Sequence, residues 1–187
     1  MAESIPNERR RFLSRGVQIA AAAALPAAAR AAKTPPEAPN ARALAFFHTH
    51  TQERIDIVYA VGDGYMPQAL GSLNRFMRDH YTGEVGVIDP ALFDLLHRVR
   101  LELGCAESFD VISGYRCPAT NDRLRNTRGG GVAQRSLHMD GRAIDVRLPG
   151  VDLADLRDAA LSLRAGGVGY YPRERFVHID TGRVRSW

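Results

Sequence analysis

From Ala41 onward the chain passes through a succession of short apolar runs whose spacing alternates between strand-like and helix-like. Ala41–His48 and Arg54–Tyr59 read as two strands, with Thr49-His-Thr-Gln-Glu53 between them as a hairpin connection. Tyr65–His80 carries Leu70, Leu73, Phe76 and Met77 at helical spacing. Asp89-Pro90 offers an N-cap followed by proline at the first helical position, so a helix opens there, runs through about Leu103 and stops at Gly104. Phe109–Ser113 reads as a buried strand, Pro118–Thr127 as a helix with Thr120 and Asn121 near its start, and Gly129-Gly-Gly131 as a flexible loop. Ala143–Arg147 alternates as a strand, and Leu153–Arg164 is a helix ended by Gly166-Gly167. Val168–Tyr171 and Arg175–Asp180 are two antiparallel strands around Pro172-Arg-Glu174. Helices followed by a cluster of short strands, with no internal repeat, predict an α+β fold: one domain with a small antiparallel sheet flanked by helices.

The first forty residues follow a different pattern. Arg9-Arg-Arg-Phe-Leu13 precedes an uncharged run from Val17 to Ala29, and Ala-x-Ala spacing follows at Ala27/Ala29 and Ala29/Ala31. A basic segment, a short apolar segment and a small-residue site make residues 1–31 a cleavable export leader, with an uncleaved tether or a surface helix as alternatives. The run is too short and too alanine-rich to span a bilayer. Arg-Arg-x-Phe-Leu resembles the twin-arginine signal, which places the mature protein in the periplasm. Residues 32–41 form a proline-rich linker, leaving 42–187 as the folded domain.

The leader also alters the charge argument. Its five arginines against Glu3 and Glu8 give +3 of the chain's +4, so the mature protein is left at +1. The high isoelectric point is therefore no argument for nucleic-acid binding, and no other stretch is long and apolar enough to enter a membrane. Both cysteines, Cys105 and Cys117, fall in the exported part, where a bridge between them is the expectation and two unpaired thiols the alternative.

The chemistry concentrates in Ser136-Leu-His138-Met-Asp-Gly141-Arg-Ala-Ile-Asp145 and Glu174-Arg-Phe-Val-His178-Ile-Asp180. Gly141 permits a backbone with positive φ, so the chain can fold back between the His138 loop and the strand bearing Asp145. In strand alternation His178 and Asp180 share a face with Phe176. Two imidazoles and a carboxylate, His138, Asp145 and His178, are nitrogen and oxygen ligands suited to zinc, and equally to manganese or iron. A zinc held by three protein groups keeps a fourth position for water, the arrangement of a hydrolytic site. His48 and His50 stand apart near the hairpin and read as a polar strand end or a contribution to the cleft, and His80 and His97 as boundary residues.

Ser136-x-His138-x-x-Gly141-x-Ala143-x-Asp145 with Val177-His178-x-Asp180 resembles the M15 zinc peptidases, a group that also contains the hedgehog domain. Ser113-Gly-Tyr-Arg116, Pro118-Ala-Thr-Asn121, Gly167-Val-Gly-Tyr-Tyr-Pro172 and the run from His178 to Trp187 extend the likeness over roughly residues 42–187, closest to exported murein endopeptidases. The resemblance implies a Zn2+ site of His138, Asp145 and His178 in a cleft on the sheet of a hedgehog/D-Ala-D-Ala-peptidase-like fold, and peptidoglycan peptides as substrate. It further implies that Arg116 faces the substrate, pairing with a carboxylate or stabilising charge on the attacked carbonyl; a structural ion pair is the alternative. Ser136 is expected to hydrogen-bond the site or bind substrate. Several family members place a glutamate three residues before the last histidine, where this chain has Arg175. Asp180 then becomes the expected proton-transfer residue, with Glu174 as rival and support of an imidazole as the other role open to Asp180. The resulting expectation is a monomeric, periplasmic murein endopeptidase. Its alternatives are a D,D-carboxypeptidase and a non-catalytic, metal-stabilised module that binds cell wall or a partner.

Overall fold

The computed structural model describes residues 40–127 and 132–187, so the expected leader, most of the expected linker and Gly129–Gly131 lie outside the described residues. The described residues run as β1 (Ala41–His48), β2 (Arg54–Val61), β3 (Gly64–Tyr65), α1 (Pro67–Phe76), α2 (Pro90–Glu102), β4 (Phe109–Ser113), α3 (Pro118–Thr127), β5 (Ala143–Arg147), α4 (Leu153–Ser162), β6 (Gly167–Tyr171), β7 (Phe176–Asp180) and β8 (Arg185–Ser186). The α+β class holds.

The sheet is larger and less regular in direction than the expected antiparallel one. Its eight strands follow the order β3-β2-β1-β4-β5-β7-β6-β8. β1 lies parallel to β4 and β6 parallel to β8, while the other pairs are antiparallel. The connection explains the first exception. Between β1 and β4 the chain turns back through β2 and β3 and then crosses by way of α1 and α2, and a crossover of that length can return a strand parallel to its neighbour. β8 is two residues long and carries no periodicity to read.

Local chemistry sets the helix ends. The Asp89 carboxylate accepts a hydrogen bond from Ala91 N at 3.0 Å, with Pro90 at the first helical position, and Gly104 takes φ +58° just beyond the C-cap of α2. α1 is shorter than the periodicity predicts at both ends. Tyr65 pairs with Ala60 in β3, and after Phe76 the Asp79 carboxylate accepts from Tyr81 N and Thr82 N, turning the chain away.

Alternation along the strands separates a packed face from a chemical one. Ile144 and Val146 of β5, Val177 and Ile179 of β7 and Val168 of β6 join one core with Leu73, Phe93, Leu96 and Leu156 from the helices. α1 packs on β2, α2 on β1, and α4 on β6 and β7. Asp145, His178 and Asp180 therefore project from the opposite face. Leu44, Phe46 and His48 follow one another on the core side of β1, so His48 is buried, edge-on to the Phe76 ring.

The two thiols are free, which corrects the expected bridge. The Cys117 sulfur is buried at the start of α3, 3.5 Å from Thr120 Oγ1 and 3.7 Å from Thr82 Oγ1, while Cys105 packs against the core after α2. Each sulfur is thus held in its own packing environment.

Candidate metal centre and its cleft

One row of residues crossing the sheet builds the site. Ser113 of β4 lies opposite Asp145 of β5, Asp145 opposite His178 of β7, and His178 opposite Gly169 of β6. Directly opposed side chains on neighbouring antiparallel strands stand close enough to touch, and here Asp145 Oδ1 lies 2.8 Å from His178 Nδ1. His138 enters from the turn before β5. Gly141 closes that turn at φ +65°, where its absent side chain leaves room for Val87 O, 1.9 Å from where a Cβ would stand. His138 Nε2 comes within 3.3 Å of both Asp145 Oδ1 and His178 Nδ1.

These three atoms face a common point. Ligands on a zinc with bonds near 2.0–2.1 Å stand roughly 3.3 Å apart at tetrahedral angles, and the observed edges are 3.3, 3.3 and 2.8 Å. The outward nitrogens support the fit. His138 Nδ1 lies 2.7 Å from Gly114 O, and His178 Nε2 3.1 Å from Asp180 Oδ2. Each outer acceptor is placed to take the proton of the far nitrogen, so that the inner nitrogen, once deprotonated, is the one turned to a metal, as histidine ligands are oriented. The donor set suits zinc, and among the described residues these three form the one His/Cys/Asp/Glu group with ligand atoms so close together.

The electrostatics are those of a buried charge cluster. Burial raises the Asp145 carboxyl, but the two imidazoles outweigh it and hold the group well below the usual carboxylate range. Burial lowers His138 against the opposing pull of Asp145. For His178 burial also favours the neutral ring, yet hydrogen bonds to Asp145 and Asp180 prevail and raise it to about 9. A metal entering the site has to displace that proton.

Asp180 is fully buried and heavily engaged. Its Oδ1 accepts from Gly167 N, Gly182 N and Arg185 Nη1, and its Oδ2 from His178 Nε2 and Arg185 Nη2. Burial would raise its pKa, but those donors hold it well below the usual range. The site opens into a cleft of about 630 Å³ lined by the three clustered residues together with Arg116, Arg135, Ser136, Glu174 and Trp187, among others; Asp180 is not part of its wall. Arg116 Nη2 lies 3.7 Å from Asp145 Oδ2 and 3.4 Å from Ser113 Oγ, and its backbone N donates to His138 O. Glu174, in the turn between β6 and β7, makes no hydrogen bond or ion pair among the described residues.

The chain matches the family model for peptidase M15_2, described as peptidoglycan L,D-endopeptidase MepK, over residues 36–187. It belongs to this family. Peptidoglycan L,D-endopeptidase MepK of Escherichia coli (strain K12) is 45% identical over 179 residues, covering 96% of each chain. A probable peptidoglycan L,D-endopeptidase MepK of Haemophilus influenzae is 41% identical over 150 residues, covering 80% of each. No solved structure matches the chain. Within this M15_2 peptidase, sequence reading found the three clustered residues and the cleft residues Arg116 and Ser136. His48 and His50 do not line the cleft: His48 faces the core and its Nδ1 accepts from His50 N at 3.2 Å, capping the hairpin turn. Arg185, which grips Asp180, and Gly114, whose carbonyl accepts from His138, lie in the runs His178–Trp187 and Ser113–Arg116 that carry the family resemblance, but the sequence assigned neither a role.

Proposed function

We propose that this chain is a periplasmic peptidoglycan L,D-endopeptidase that uses zinc and acts as a monomer. The observation that carries the reading is the pair of inward-facing imidazole nitrogens sharing a point with Asp145 Oδ1 while both outer nitrogens are held by acceptors. Family membership and the printed names of its relatives supply the substrate class. Hydrolysis of an L,D bond in a cross-link separates an L-centre carbonyl from a D-centre amine, which selects that kind of cross-link over a D,D bond. The hedgehog-like placement of the metal in a cleft on the sheet is part of the same reading, supported by the cleft beside the ligand row.

His138 Nε2, Asp145 Oδ1 and His178 Nδ1 would hold the ion. When bound, zinc supplies the Lewis acidity that allows water to attack an amide near neutral pH. Arg116 lines the cleft beside Asp145 and is placed to stabilise negative charge on the attacked carbonyl oxygen. Ser136 lines the same cleft, with no hydrogen bond from its hydroxyl among the described residues, and serves as a polar contact for substrate. The surroundings of Asp180 favour orienting His178 over accepting a proton, because its oxygens are already shared among five hydrogen bonds and its basicity is low. The proton-accepting role passes to Glu174, the carboxylate in the cleft wall.

The test is incubation of the purified, zinc-loaded protein with L,D-cross-linked muropeptides, with and without chelator. Separated stem peptides, lost on chelation and restored by zinc, are expected. Release of a single terminal D-alanine with cross-links intact would return the carboxypeptidase reading. No product from any muropeptide despite bound zinc would leave a binding module, the reading that Arg175 in place of the family's glutamate favours.

A further inference from the structure

The run from Gly167 to Trp187 contains more order than holding a metal requires. Gly167 and Gly169 each stand where a Cβ would collide with a neighbour: at Gly167 with the Arg185 guanidinium at 2.3 Å and Asp180 Oδ2 at 2.5 Å, and at Gly169 with the Trp187 indole at 2.7 Å. The two glycines make a cradle in β6. Into it β8 lays Arg185 and, two positions on, Trp187, with Tyr170 N donating to Trp187 O and Trp187 N to Val168 O. Arg185 grips Asp180 through both terminal nitrogens while its guanidinium carbon sits 4.8 Å from the Trp187 ring. The indole lies 5.3 Å from the His178 ring, and its Nε1 donates to Tyr171 OH at 2.7 Å.

A tryptophan fastened by its backbone, its indole N–H and a stacked cation is rigid. Nevertheless this one is 50% exposed, and it lines the cleft beside a ligand. Tyr171 stacks on Phe176 at 4.6 Å, and both also line the cleft, so the indole continues into an aromatic shelf carried on paired strands. The cleft lining also includes the polar and charged residues Arg135 and Ser136. Preordered aromatic area next to reacting groups holds apolar substrate at low entropic cost.

We propose that Trp187 is a substrate-contacting specificity residue, whose exposed indole face receives the aliphatic chain of the cross-linking diamino acid beside the scissile bond. This rests on the endopeptidase reading above. A cross-link differs from a free stem peptide in carrying that chain on both sides of the bond, so a flat apolar surface at the metal favours the joined substrate.

The test compares wild type with Trp187→Ala and Trp187→Phe on an L,D-cross-linked peptide freed of its sugars and on the same peptide bearing them, with zinc content measured for each protein. The expected result is a rise in KM of about tenfold for Trp187→Ala on both substrates, with the larger part of the loss in kcat/KM residing in KM. Stoichiometric zinc should be retained, and Trp187→Phe should recover most of the loss. An unchanged KM in Trp187→Ala overturns the proposal, as does a loss confined to kcat that follows loss of zinc, which would make the indole a support for His178. A KM effect seen only with the sugar-bearing substrate also overturns it, because the face would then read glycan. Inactive wild type on both substrates would instead fail the endopeptidase reading and is recognised before any variant is compared.

Discussion

His178 stands between two carboxylates, with Asp145 on its inner nitrogen and Asp180 on its outer one. Removing the ring and loosening its support should therefore have different consequences. His178→Ala is expected to abolish stoichiometric zinc, measured by metal analysis after dialysis. Asp180→Asn keeps an acceptor oxygen but loses the charge, and should weaken zinc binding by about 10- to 100-fold without abolishing it. Equal zinc affinity in Asp180→Asn and wild type would remove the orienting role. Glu174→Gln separates support from proton transfer: kcat should fall by roughly 100-fold while zinc and KM hold. A kcat close to that of wild type would show that Glu174 does not take the proton. At this scale the three clustered residues were legible because each carries its own chemical signature. The proton-transfer assignment to Asp180 depended on what else reaches that carboxylate, and Arg185, Gly167 and Gly182 approach it through the pairing of β6 with β7 and β8 and the turn after β7, to which residue type alone gives no guide.

Among elements, the turn from Ser136 to Arg142 bears a double constraint. Gly141 combines a left-handed backbone with contact to Val87 O, and its own carbonyl accepts from Asp89 N at the start of α2. Gly141→Ala should cost about 1–3 kcal/mol from the backbone conformation alone. Displacement of Val87 adds to that, so a lowered denaturation midpoint should coincide with reduced zinc as His138 shifts. A variant with unchanged midpoint and full zinc would refute this. The boundaries of β1, β4, α3 and β5 were readable because periodicity and capping are local properties. The ends of α1 were not: pairing of Tyr65 with Ala60 and the turn around Asp79 decide them. The parallel β1–β4 neighbours and the two-residue β8 depend on contacts distant in sequence, where the pattern within a strand is silent.

For the molecule as a whole, a second group of histidines contributes to the response to acid. His50 stacks on His80 with ring centroids 4.0 Å apart, and His48 sits edge-on to His80 at 5.7 Å. Burial, then the neighbouring imidazoles and Arg78, lower His48 to about 4 against the opposing pull of Glu53. Burial and His50, with smaller contributions from Arg116 and Arg123, lower His80 to about 4 despite Asp79. Both rings bind protons more weakly when folded than when unfolded, near 6.5. Their contribution to stability is complete above that value and is lost as pH falls from about 6.5 toward 4. Denaturant midpoints measured across this window should decline in wild type and decline less in His48→Asn, whose side-chain oxygen can still accept the turn's backbone N–H groups. Parallel declines in the two proteins would exclude His48 as a source. The sheet beneath the metal site carries a different dependence. Asp145 and His178 meet because β5 and β7 pair in one particular alignment, and a slip of a single residue would set Val177 or Ile179 opposite the carboxylate instead. Under the proposed zinc reading, metal uptake would act as a proofreader of strand pairing, since a misregistered chain would have no site with which to retain the ion.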